Sequence, residues 1–469
     1  MKSVILAAAV TTLLGQVSNA AVATLGVTEI YNPPVQEKYT SGAVHMSIMN
    51  AKESTWARQK AAGAFNSSAY TPVISFTPCV NGKAGEYRCN NIDLYSFTPH
   101  ELLGSQTGEG SSSWGWTSPD GREIIIVAQA DGAAFAEVNP DGSVTYLGRL
   151  PKQSSNSIWR EIRVYKSYAV IGSEASNHGI QIFDLRQLLT VDPAQPKTFA
   201  LTDAALFKGL PTGRTHNVVV NEEKEYAVSV GASPRTDACK SGLIFIDLKD
   251  PANPTSPGCA PQDGYVHDAQ CIVYRGPDAK YNGRDICYGY NEDTLTIYDV
   301  TDKTNTSVIS RTTYTGASYT HQGWVLDPLN QEYLLLDDEY DEYDKVGPAR
   351  DGYPVTYIWD IKSLEQPVVS GYYKSGQKSI DHNQYIHEGK AYQSNYAAGL
   401  RVLDVSSIPS DPTGNGVKEI GFFDVYPEDD ASGGLIDFVG TWSSYSAFKS
   451  GYLAINTIER GLFIVKLQN

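Results

Sequence analysis

Four histidines stand at one recurring point of the chain: Thr215-His216-Asn217, Val266-His267-Asp268, Thr320-His321-Gln322 and Asp381-His382-Asn383. The chain has 8 histidines, so half of them occupy this single position. Imidazole is the commonest protein metal ligand and the usual proton carrier near neutral pH. If the four segments surround an axis, His216, His267, His321 and His382 converge. Three or four of them would then hold a divalent transition metal, with carboxylates behind the rings fixing their tautomers. Without a metal, Arg160 would neutralise a substrate carboxylate while a histidine abstracts a proton, as β-elimination of a uronic acid requires. Without any chemistry, the rings would hydrogen-bond channel water and the backbone of neighbouring units.

The elements that must position these rings are short strands. Apolar endings of one type recur: Ile180 to Asp184, Leu243 to Asp247, Leu295 to Asp299, Thr356 to Asp360, Leu400 to Asp404 and Leu462 to Val465. A period of roughly 45–60 residues, with about four strands in each unit, predicts an all-β fold, a β-propeller. Seven blades are expected, with eight as the competitor. Their innermost strands would begin near Trp114, Arg160, His216, His267, His321, His382 and Trp442. The last unit has only three strands, and Asn91 to Phe97 can supply the missing one, closing the ring and removing its open edges. Second strands return antiparallel to the same rim and end on carboxylates, and parity along a strand decides which of them face the axis. The neighbours expected beside the histidines are Glu161, Asp268, Glu292 and Asp338. Arg160, Glu161 and Asp268 are the catalytic candidates, and Glu292 and Asp338 the outer support of a metal.

Composition agrees with the fold. The chain has 30 Tyr, 41 Gly and 24 Pro in 469 residues, and long amphipathic helical patterns are scarce. The exception is Ser41 to Ala64, which predicts one helix with Trp56 on its apolar side. Residues 1–20 read as a secretory signal peptide, with Lys2, an apolar Val4 to Leu14 and the cleavage site Ser18-Asn19-Ala20. Residues 21–90 would form an N-terminal arm and residues 91–469 the propeller. No membrane anchor is expected, and a secreted, extracellular protein follows. Net charge is −16, from 37 Lys+Arg against 53 Asp+Glu, which argues against nucleic acid as a partner. An extracellular small molecule or polysaccharide is the expected ligand class; a scaffold without catalysis is the alternative.

Six cysteines in a secreted chain imply three bridges. Local pairing gives Cys79–Cys89, Cys239–Cys259 and Cys271–Cys287. Asn66 and Asn305 each begin an N-glycosylation sequon. The run Asp337 to Asp344 has the oxygen donors for Ca²⁺ but not the spacing of an EF-hand loop, and its second half reads as a solvated loop. His45, His100 and His178 read as surface or turn residues, and His387 as facing away from the axis.

Several stretches resemble the LVIVD-repeat propellers, and more specifically the secreted choice-of-anchor B family. They include Cys79 to Phe97, Trp159-Arg160-Glu161-Ile162, His178 to Asp184 and Val266 to Cys271. They continue through Thr320 to Trp324, Asp337-Asp338-Glu339, Gly421 to Pro427 and Ile458 to Leu462. The resemblance implies a propeller fold and an extracellular setting, and no particular reaction.

Overall fold

The recurring apolar endings are the third strands of blades. In the computed structural model, which describes residues 33–468, seven mostly antiparallel sheets succeed one another and form a seven-bladed β-propeller. The innermost strands are Gly110–Thr117, Arg160–Tyr165, Asn217–Asn221, Asp268–Val273, Thr320–Val325, Asn383–His387 and Thr441–Tyr445. Each contains, or directly follows, one of the seven starting residues expected above. The signal peptide expected at residues 1–20 lies outside the described residues, as does the start of the expected arm.

The aspartate that ends the third strand has one local task in five blades. Asp184, Asp247, Asp299, Asp360 and Asp404 each accept a hydrogen bond from the backbone N–H two residues on, at 2.8–3.1 Å. This Asx turn reverses the chain towards the outer strand. Between blades, both sheet faces are apolar. Tyr288, Leu334, Leu336, Tyr357 and Trp359 are completely buried between blades four and five. Burying a large apolar side chain stabilises by roughly 1.5–3 kcal/mol. Innermost strands also interlock: Gln270 accepts from the Val325 N–H at 2.8 Å, and Gln322 from the Gln384 N–H at 3.0 Å.

The ring closes as the half-blades predict. Ile92–Pro99 runs antiparallel beside Gly461–Leu467 as the outer strand of blade seven. Tyr87–Asn90, within the expected arm, adds instead to the edge of blade six against Lys418–Phe423. The rest of the arm carries helix α1 (Pro33–Thr40) and helix α2 (Ala43–Ala61), which lies inside the predicted Ser41–Ala64 span. Gly42 joins them in the left-handed region at φ 79°, and a Cβ there would lie 3.1 Å from Nε of Arg235. Only glycine combines that backbone with that approach. Arg235 in turn donates to the Tyr39 carbonyl at 3.0 Å and pairs with Glu292, fastening the helices to the rim.

All three expected disulfides are present. Cys271 and Cys287 are directly opposed on the two inner strands of blade four. Cys271→Ser combined with Cys287→Ser should lower unfolding free energy by roughly 3 kcal/mol, the value for a loop of this length, as measured by urea denaturation. A loss under about 0.5 kcal/mol would mean the strand pairing alone holds that hairpin. Asn66 and Asn305 are both exposed. Among the described residues no helix is long and apolar enough to cross a membrane.

Candidate metal centre

His216, His267, His321 and His382 form a continuous arc at one end of the channel. Successive ring centroids are 4.3, 4.2 and 4.5 Å apart, and Trp442 continues the arc 5.2 Å beyond His382. Blade geometry alone produces this, since equivalent starting residues share one rim. The hydrogen bonds of the rings then set their chemistry. His267 Nδ1 is 2.8 Å from the His321 carbonyl, and His382 Nδ1 is 2.6 Å from the Trp442 carbonyl. A carbonyl only accepts, so each Nδ1 carries the proton and each Nε2 keeps its lone pair. His321 Nδ1 stands 3.2 Å from Oδ1 of Asp337 and is oriented the same way. Burial holds His267 and His321 well below the usual imidazole range and brings His382 down to about 4. These rings are neutral at physiological pH, the state in which imidazole binds a metal.

One carboxylate meets them. Glu339 is fully buried, with Oε2 3.6 Å from Nε2 of His321 and Oε1 3.6 Å from Nε2 of His382. His267, His321 and Glu339 each bring a ligand atom within 4.8 Å of the others. Oε1 of Glu339 accepts from Tyr396 Oη and from Lys52 Nζ, the latter at 2.6 Å, whereas Oε2 has no hydrogen-bond partner.

Glu339, not Asp338, is therefore the carboxylate at the axis. Blade five has a register shift at this point: Thr320 opposes Asp338, but Gln322 opposes Asp337, leaving His321 as the extra residue. A one-residue bulge exchanges the faces of everything beyond it. Asp338 instead accepts from Tyr314 Oη and from the Ser318 and Tyr319 N–H groups at 2.6–2.8 Å. Glu292 is likewise turned from the histidines by Arg235, at 2.7 Å. Arg160 lines the cavity, but its guanidinium reaches the Gln129 carbonyl at 3.0 Å and His178 Nε2 at 2.8 Å, so its charge is not aimed at a ligand there. Glu161 and Asp268 sit with Arg163, at 3.4 and 4.0 Å, and burial brings Asp268 up to about 7. His216 pairs with Glu174, Nδ1 to Oε1 at 2.5 Å.

Helix α2 covers the arc. His45, Met49, Lys52 and Trp56 are spaced at i, i+4, i+7 and i+11, which puts them on one helix face. Trp56 donates to the Phe438 carbonyl at 2.9 Å, and His45 Nδ1 is 2.7 Å from Tyr319 Oη. Lys52, 2% exposed, inserts its ammonium among the rings of Phe438, Trp442 and Tyr396, 5.6–6.0 Å from their centroids. Sequence reading had no role for Lys52; a lysine within the stripe Val44, Ile48, Met49, Thr55 and Trp56 was the available signal. His45 is not a free surface residue, and His100 and His178 are fully buried, each bonded to a backbone carbonyl. His387 is half-exposed beside Glu388, away from the arc.

A cavity of about 10 Å³, room for about one water molecule or one ion, lies against the four histidines and is bordered also by Trp159, Arg160, Glu161 and Trp442. No protein-family model matches the chain, and no curated protein is significantly similar to it.

Proposed function

We propose that this protein is a secreted propeller that binds one divalent transition metal at its axis through His267, His321 and Glu339. His382 stands where a fourth ligand would. The observation carrying this reading is Oε2 of Glu339, buried without a partner 3.6 Å from the lone-pair nitrogen of His321. Two ligand atoms about 2.1 Å from a tetrahedral ion are ~3.4 Å apart, close to that separation. Imidazole with carboxylate suits zinc, manganese or iron. The Nδ1 acceptors supply the outer support that such ligands require. Three disulfides favour an oxidising, extracellular setting. Membership of the choice-of-anchor B family belongs to the same proposal.

A cavity with room for one ion favours metal binding over turnover of a sugar chain as the reading of this site.

Metal analysis of the purified full chain, and competition binding of Zn²⁺ and Mn²⁺ after chelation, test the proposal. Glu339→Gln should weaken binding at least about 100-fold. Lys52→Met, which deletes a buried like charge, should strengthen it roughly tenfold. Absence of binding by both the wild type and Lys52→Met would end the metal reading.

A further inference from the structure

A second cavity, about 570 Å³, lies between helix α1 and the loops of blades three and four. Gln36, Tyr39 and Thr40 of α1 line it together with Tyr265, Asn291 and Tyr314. Its volume is that of a small-molecule site, which runs from roughly 300 to 1,000 Å³. Three cations and three acids also face it: Arg235, Lys240 and Arg311, and Asp263, Glu292 and Asp293. Arg235 holds Glu292 through two hydrogen bonds at 2.7 and 2.9 Å. Arg311 pairs with Asp263, which also accepts from Asn291 and Thr296. Lys240 is exposed. Asp293 is half-buried, and its carboxyl enters no ion pair among the described residues. Thr313 Oγ1 donates to the Asp293 carbonyl at 2.7 Å, which fixes the backbone that carries this carboxyl.

We propose that this cavity binds a compact organic amine, whose ammonium group pairs with the Asp293 carboxylate. Burial, and then the charges of Asp263 and Glu292, push Asp293 up to about 7. The carboxyl therefore sits in a region of negative potential, where a ligand cation is stabilised and an anion repelled. Arg311 offsets that potential least, since Asp263 already claims it. An ammonium donating to Asp293 would make a charge-assisted hydrogen bond, the stronger kind. A metal ion fits less well. Among the described residues, Asp263, Glu292 and Asp293 do not gather three oxygens within 4.8 Å of one another, and two of the three are held by arginines. An ion would also leave most of the cavity to water. An organic body fills it instead, lying against the rings of Tyr39, Tyr265 and Tyr314 with the amides of Gln36 and Asn291 at its polar end. Such a ligand touches both α1 and the blades, and no axial metal is needed for it to bind.

The test is calorimetric titration of the full chain with aminopentanol, and with pentanediol as the isostere that lacks the charge. The amine should bind with Kd of about 1 mM or below, and the diol at least about tenfold more weakly. Raising pH from about 6 to about 8 should strengthen amine binding roughly tenfold, because Asp293 ionises in that range while the amine stays protonated. The other ionisable groups facing the cavity are the three cations, Asp263, Glu292 and the phenols of Tyr39, Tyr265 and Tyr314. Asp293→Asn keeps the shape of the side chain and removes a half-buried charge, so Tm should not fall. It should weaken the amine at least about tenfold and flatten the pH profile. Thr40→Trp, at an exposed position of α1, narrows the cavity and should exclude the amine. No binding of aminopentanol at ~10 mM, or equal binding of the diol, would overturn the proposal. So would an affinity and pH profile that survive Asp293→Asn, or wild-type affinity in Thr40→Trp, since either result places the amine elsewhere.

Discussion

His267→Asn is expected to abolish transition-metal binding while leaving the propeller folded. The asparagine amide can reproduce the Nδ1 donation to the His321 carbonyl, 2.8 Å away, but offers no equivalent of Nε2. The backbone tie between blades four and five is kept and only the ligand is lost. Affinity should fall at least about 100-fold, and the rise in Tm on adding metal should vanish, since a ligand stabilises only the state it binds. His382→Asn should behave alike but less severely, and His216→Asn should retain most of the metal, because His216 is paired with Glu174. Equal loss in all three variants would mean the arc acts as one packed unit rather than as a ligand set. The same rings set a pH dependence. His382 titrates near 4 when folded and near 6.5 when unfolded, so between these values the unfolded chain binds more protons. Stability of the chelated protein should therefore fall as pH drops from 6.5 to 4, by roughly 3 kcal/mol from His382 alone. Denaturant midpoints across that range would measure it, and a flat profile would mean the ring is protonated in the fold.

Phe97→Asp should have the largest effect on the fold. Phe97 is 1% exposed on the closing strand and stacks on Phe463, with centroids 4.3 Å apart. The change removes an aromatic core contact and buries a charge at the seam of the ring, a combination expected to cost more than about 4 kcal/mol. Phe97→Leu, which keeps the seam apolar, should cost about 1–2 kcal/mol. Limited proteolysis should cut Phe97→Asp first near residues 90–100, and metal binding should decline with it. The link is direct: the acceptor for His382 Nδ1 is the Trp442 carbonyl in blade seven. Protease resistance equal to wild type would mean that closure contributes little to integrity.

Residue order by itself determined the seven-fold repeat, the closure by Ile92–Pro99, the three disulfides and the histidine arc. All of these depend on local periodicity: strand alternation, turn residues, and the fact that equivalent blade positions share one rim. What lay beyond local pattern came from packing across distant segments. The bulge at His321 moved the axial carboxylate from Asp338 to Glu339, because a register shift exchanges faces and leaves no mark in a single strand. Arg160 and Glu292 carry charges of the right type, but His178 within the same blade and Arg235, 57 positions before Glu292, claim them. Lys52 became part of the site only because α2 lies across the channel mouth, and its partner Glu339 is 287 positions later in the chain. Asp341 and Glu342 read by composition as part of a solvated loop, but packing buries both completely.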